Sequence, residues 1–249
     1  MQPHPSWIVT FGIPSLALIV VALIALALNV RGQRSSARRF VLGAALWFGV
    51  SAGLALSGSL AREELSPLPL LSIVLPTLGL PLAFGLSRAG RELAQNLPLA
   101  ALVGFHAFRL PLELVMHQAA VERVMPPQMT FTGSNFDIVT GISALLIGLW
   151  LWRGQAPGWL VLAFNLVGSC LLLAIIGVAL ASMPRFHLYG SDPEHLNTWV
   201  FYFPFVWLPA GLVAAALLGH VVLWRRLWLD AHESALSKAD AFAAQKSLR

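Results

Sequence analysis

The chain has 249 residues, 57% of them hydrophobic and only 11% charged, with a mean hydropathy of +0.75. A water-soluble domain carries about a quarter charged residues, so this surface is made for lipid. Disordered, collagen-like and disulfide-stapled chains are excluded too: apolar content is high, glycine has no triplet period, and the single Cys170 lies inside an apolar run.

A hydrocarbon layer about 30 Å thick takes roughly 20 apolar residues per helix. Seven such stretches follow one another, at about 8–30, 40–60, 68–87, 98–121, 136–152, 158–181 and 200–224. Backbone groups in lipid must be satisfied internally, which leaves helices or a closed barrel, and the runs lack period-2 alternation. The expected fold is an all-α integral membrane bundle of seven transmembrane helices in residues 1–224, followed by a helical tail over 225–249.

The first stretch lacks a basic n-region and a small-residue cleavage site, so it reads as a retained span rather than a signal peptide. Basic residues sort by side. Arg31, Arg34, Arg38 and Arg39 follow the first span, Arg88 and Arg91 the third, Arg153 the fifth, and Arg225, Arg226, Lys238, Lys246 and Arg249 the seventh. Only Arg62, Arg123 and Arg185 fall opposite, and Arg109 falls inside a span. The positive-inside rule then puts the N-terminus outside and the C-terminus in the cytoplasm. Trp7 and Trp199 fit the outer boundary; Trp150, Trp152, Trp159, Trp224 and Trp228 fit the inner one. The net charge of +5 follows from this sorting and implies membrane lipids, not nucleic acid, as the surrounding partner. In the tail, Arg225, Arg226 and Trp228 suit an anionic lipid surface, while Asp230, Glu233 and Asp240 weaken that attraction.

Prolines at Pro76, Pro81, Pro204 and Pro209 mark the third and seventh spans as bent. Ionisable residues gather in the fourth span, where LVGFHAFRLPLELVMHQAAVERVM carries His106, Arg109, Glu113 and His117. On an α-helix these four fall within an arc of about 80°, one stripe about 16 Å long and polar only from mid-membrane outward. Intramembrane charge is costly and marks function or a pairing that permits it. A stripe polar over half the membrane suits a pocket open to the outside better than a pore. Pro111 within it frees the carbonyl of Ala107. After a short outer loop the fifth span opens with FTGSNFDIVTG, placing Asn135, Asp137 and Thr140 at the depth of Glu113 and His117 on an antiparallel neighbour. The loop residues His187, Asp192, Glu194 and His195 read as solvated, and His220, near the inner end of the seventh span, as a hydrogen-bonding helix contact.

The segment Phe108–Thr140, with FRLPLEL and MTFTGSNFDIVTG, resembles a recurrent motif of bacterial polytopic membrane proteins of the pattern FRxxxEL…MTFxGxNFDIxTG. It covers roughly an eighth of the chain. The resemblance implies a multi-pass protein of a bacterial inner membrane and groups spans four and five into one site, without naming a substrate.

The leading functional expectation is binding of a small polar or anionic ligand in an outward-facing intramembrane pocket formed by His106, Arg109, Glu113, His117, Asn135, Asp137 and Thr140, with proton-linked transport as its extension. One alternative is a metalloenzyme, in which Glu113 and His117 at i, i+4 share a cation with Asp137 or His106. Haem between His106 and His220 is another, set against the shallow depth read for His220. The third is a structural ion-pair network that pins helices together. Retinal is excluded because the only lysines, Lys238 and Lys246, lie in the tail, and no hydrolase triad or nucleophile elbow is evident.

Overall fold

The structure, a computed structural model, describes residues 5–30, 32, 34–62, 68–154 and 156–247. Arg31, Arg249 and the first four residues of the N-terminal segment lie outside the described residues, as do the side chains of 238–244 and 247, among them Lys238 and Asp240. The described residues contain helices and no strand. In chain order the helices are α1 (Trp7–Val30), α2 (Arg34–Leu56), α3 (Leu68–Leu86), α4 (Arg88–Asn96), α5 (Leu99–Gly104), α6 (Arg109–Val121), α7 (Ile138–Trp152), α8 (Gly158–Ala181) and α9 (Ala214–Ser247). Six helical segments are long and apolar enough to cross a membrane: α1, α2, α3, the run Leu99–Val121, α8 and the run Leu208–Ser237. This is the pattern of a multi-pass membrane protein. The seventh expected span, α7, is apolar but only 15 residues long.

Three boundaries differ from those read in the sequence. Helix α2 begins at Arg34, not near residue 40, so Arg34, Arg38 and Arg39 ride on its first turns and not in a loop. Their exposed side chains can reach water while the helix stays in register, the usual behaviour of long cationic stems at an interface. Arg88 and Arg91 likewise belong to a helix, α4. Ser87 caps it by accepting a hydrogen bond from Gly90 N, and its buried Gly90, Leu93 and Ala94 face the bundle. The turn from α3 into α4 is tight, because a Cβ on Gly90 would collide with the carbonyl of Gly85. Two arginines of α9 hold it there. Arg225 donates to Gly85 O and Ser87 O, each at 2.7 Å. Arg226 donates to Ala94 O, Gln95 O and Leu97 O at the end of α4, where the last carbonyls lack helical partners.

The last span starts at Leu208, not at 200. Pro204 has no amide proton and disfavours helical backbone at Phe203, so Trp199–Phe201 closes as an isolated 3-10 turn and the helix opens eight residues later as a π turn, Leu208–Val213, which continues into α9. The α9 helix runs unbroken to Ser247, so the expected helical tail is a continuation of the span. Helix α2 grips the π turn through two indoles: Trp47 Nε1 donates to Ala210 O at 3.0 Å, and Trp207 Nε1 donates to Phe48 O at 3.2 Å.

This last span is the most buried of the long helices. It packs on α3, α4, α5 and α8, while α1 packs on α2 and α6, and α7 fills the space between the α5–α6 run and α8. Small residues set the close crossings. A Cβ at Gly141 of α7 would come within 2.5 Å of Leu110 N, so only glycine lets the α6 and α7 backbones meet at this depth. Helices α3 and α8, by contrast, both flank the last span without substantial contact with each other. Likewise α2 and α3 are joined mainly by the ring contact of Phe40 with Phe84. These two gaps define the cavities described below.

Candidate functional site

The fourth span is not one continuous α-helix. Helix α5 ends at Gly104, a 3-10 turn runs over Phe105–Phe108, and α6 resumes at Arg109. Pro111 falls in the first turn of α6, where its missing amide leaves no helical bond unmade. The break in the fourth span therefore lies one turn before Pro111. Because side chains three residues apart nearly eclipse in a 3-10 turn, His106 lies over Arg109 and both reach His220 of α9, while Arg109 and Glu113 also line the cavity.

Arg109 is the hub. Its side chain is 1% exposed; Nε pairs with Asp137 Oδ2 at 3.0 Å, and Nη1 lies 3.1 Å from His220 Nε2. Asp137, at the start of α7, accepts from Thr140 Oγ1 through its other oxygen at 3.1 Å. An acid at this helix N-terminus also meets the positive end of the helix dipole. Asn135 serves two groups: its Oδ1 accepts from Asp137 N at 3.0 Å, and its Nδ2 donates to Glu113 Oε1 and Oε2 at 2.9 Å each and to Met129 O. The NFD sequence at the mouth of α7 thus holds both carboxylates in place.

His220 is fixed from behind. Its Nδ1 is 2.7 Å from Asn165 Oδ1, and Asn165 Nδ2 donates to His220 O at 3.3 Å. The amide orientation makes Nδ1 the donor, which leaves Nε2 as the acceptor for Arg109 and the imidazole neutral. His106 stacks against it with ring centroids 4.1 Å apart. Two glycines admit these rings: a Cβ at Gly219 would come within 2.7 Å of His106 Nε2, and one at Gly168 within 2.6 Å of His220 Cε1.

The structure therefore brings His106, Arg109, Glu113, Asn135, Asp137 and Thr140 into one buried network. His117 stands apart, half-buried, with its ring against Phe131 at a centroid distance of 4.7 Å. His220 and Asn165 belong to the network although the sequence reading left them out of it. The shallow depth assigned to His220 came from starting the last span at 200. With Leu208 as its start, His220 lies about three turns in and level with Arg109. The two histidines do meet, yet in direct ring contact, which leaves no room for a haem iron between them. Glu113, His117 and Asp137 are each engaged elsewhere, by Asn135, Phe131 and Arg109. Among the described residues no three His, Cys, Asp or Glu side chains converge as a metal site requires. Of the loop residues read as solvated, His187, Asp192 and Glu194 are exposed, whereas His195 is half-buried, its carbonyl accepting from the buried Gln128 Nε2 at 2.7 Å.

One side of the network opens on a cavity of about 120 Å³. Its walls come from α3, α6, α8 and the last span, and among the described residues its polar lining is Thr77, Arg109, Glu113, Asp137 and Asn197. Three polar atoms of this lining are buried without a hydrogen-bond partner: Arg109 Nη2, Thr77 Oγ1 and Asn197 Oδ1. The other walls include Ile73, Leu112, Leu172, Ile176 and Leu212. A buried donor with no acceptor costs about 1–3 kcal/mol, more when charged, so the free guanidinium nitrogen is the most demanding of these three atoms.

No family model, curated protein or solved structure matches the chain.

Proposed function

We propose that the protein is a membrane receptor or carrier for a lipophilic molecule whose polar end, an uncharged oxygen acceptor such as a carbonyl or hydroxyl, sits against Arg109. The observation that carries this reading is the unpartnered Nη2 of Arg109 at the head of an otherwise apolar cavity. Charge supports the choice of an uncharged group. Asp137 already balances the guanidinium, and Glu113 adds a second carboxylate to the same lining, so the site has no surplus positive charge for a free anion. Size supports a lipophile. A cavity of about 120 Å³ holds a group about as large as benzene, and a longer chain would continue through the gap between α3 and α8 into the hydrocarbon.

In this reading α7 completes a seventh span, with the N-terminus outside and the C-terminus in the cytoplasm of a bacterial inner membrane, so that the cavity lies toward the outer face, where Leu60, Met129 and Asn197 line it. The competing reading is the structural one: the network exists to pin α6, α7, α8 and α9 together, and the cavity is incidental.

The two separate in one experiment. Solvent extraction of the purified protein followed by mass spectrometry should show a co-purifying lipophile near one per chain. It should be lost in the Arg109→Met/Asp137→Asn double variant, which removes the ion pair without stranding either charge. A double variant that folds and carries the same lipophile as the wild type would leave only the structural role.

A further inference from the structure

A second cavity, independent of Arg109, lies between α2 and α3 with α1 and the last span as its floor. At about 710 Å³ it is the size of a small-molecule site. Its inner walls are apolar: Val20, Val21 and Ile24 of α1, Trp47 and Phe48 of α2, and Leu80 of α3. One end is different. There Ser36 and Arg39 from the first turns of α2 face Ser87 and Arg88 from the start of α4, and the contact of Phe40 with Phe84, centroids 5.3 Å apart, holds the two sides together. Glu92 lines the same end and offsets one of the two charges, while Arg34 and Arg38 extend the basic surface on the outside of α2.

Neither arginine of this end is engaged as Arg109, Arg225 and Arg226 are. Arg225 and Arg226 are spent on backbone carbonyls, and Arg109 on Asp137. Arg39 reaches only Ser35 O at 3.4 Å and Ser36 Oγ at 3.5 Å within its own turn, and Arg88 has no hydrogen bond or ion pair with any described residue. The cavity is thus amphipathic along its length, with one free and one weakly engaged guanidinium group at the membrane boundary and an apolar trough running from them toward the bilayer centre. That is the charge and shape complement of one molecule class in the surrounding solvent.

We infer that this cavity is a binding site for an anionic phospholipid, its phosphate between Arg39 and Arg88 and an acyl chain in the trough floored by α1 and the last span. The guanidinium pair recognises the phosphate oxygens through charge-assisted hydrogen bonds, and the trough removes acyl methylenes from competition with bulk lipid. The inference uses none of the residues of the Arg109 network and stands or falls separately from it.

Native mass spectrometry of the full-length protein, released from mixed micelles holding equal phosphatidylglycerol and phosphatidylcholine, tests it. The wild type should retain phosphatidylglycerol in preference, and Arg39→Gln/Arg88→Gln should lower that preference about thirtyfold, as expected for losing two basic groups at about 1 kcal/mol each. Arg153→Gln, outside the cavity lining, should leave it unchanged. Gly43→Leu is the tail arm: Gly43 lines the trough and a Cβ there meets nothing within 4 Å, so the variant should fold yet retain less phosphatidylglycerol with both arginines intact. Equal retention of the two lipids by the wild type, or the same preference in the arginine pair variant, would overturn the proposal. So would displacement by glycerol phosphate at the concentration of lipid needed, which would show that the acyl chain contributes nothing.

Discussion

The two cavities on either side of the last span hold arginines of opposite character. Arg109 is buried, paired to Asp137 at 3.0 Å and fixed at Nη1 by His220; Arg39 and Arg88 are exposed and have only weak contacts or none. A cation deep in an apolar bundle must be neutralised by protein, so what it offers a ligand is a directed N–H and little net charge. A cation at the boundary keeps its hydration and its charge, so it offers an anion a partner. Residue type alone does not assign the ligand. The depth of the arginine and the completeness of its pairing do.

The sharpest way to break this contrast is to remove the neutralising partner. Asp137→Asn takes away the carboxylate that pairs with the buried Arg109 guanidinium, leaving only Glu113, which is held by Asn135, as a nearby acid, and should cost about 3–5 kcal/mol, read as a large fall in the melting temperature of the detergent-solubilised protein. Adding Arg109→Met to the same chain should recover most of that loss, because the uncompensated charge is gone. If the single and double variants melt together, the pair is not what neutralises the site.

Most of this architecture was legible in the residues. Apolar run length located the helices, and Arg109, Glu113, Asn135, Asp137 and Thr140 declared themselves because charged and amide groups are scarce in such segments. His220 and Asn165 were not legible. Neither is part of a cluster of ionisable residues in its own span, and only the packing of α8 on α9 makes them adjacent. His220 was also misplaced in depth, since hydropathy cannot see that Pro204 delays the helix to Leu208. The 3-10 turn at Phe105–Phe108 was equally hidden, and it is what lays His106 over Arg109 against His220. The cavity gaps follow from which helices fail to touch, a property that no single segment carries.

Next in size is the pair of glycines that admits the histidine rings. Gly168→Ala and Gly219→Ala place a methyl within 2.6 and 2.7 Å of His220 and His106, in a region where neither ring can retreat. Each should destabilise by about 1–3 kcal/mol, and Gly168→Ala should also reduce lipophile retention by displacing His220 from Arg109. Gly79→Ala is the internal reference, since a Cβ there meets nothing within 4 Å. Equal melting temperatures for all three would show that the stacked pair is looser than its geometry implies.

At the boundary the expectation reverses. Arg39→Gln and Arg88→Gln, singly or together, should change thermal stability by less than about 0.5 kcal/mol while altering lipid selectivity. A substantial loss of stability would mean that these arginines are structural after all, and the contrast between buried and boundary cations would fail on that side.

The smallest effect concerns the N-terminal end of α1, where Glu122 Oε2 accepts from Ser6 N at 2.8 Å and Oε1 from Gln118 Nε2 at 2.7 Å. Slight desolvation acts to raise its carboxyl, but the hydrogen bonds from Ser6 and Gln118 prevail and hold it below the ordinary value of 4.5. A carboxyl depressed in the folded state stabilises above its unfolded value, and the gain disappears as pH falls through the lower folded one. Acidification below about 4.5 should therefore loosen the α1 start from the end of α6, seen as faster amide exchange at Ser6 with the helix cores unchanged. Glu122→Gln keeps an acceptor at this position without the titrating proton, so its exchange rate at Ser6 should be flat over the same range once corrected for intrinsic acid dependence. A slope equal to that of the wild type would place the pH response elsewhere.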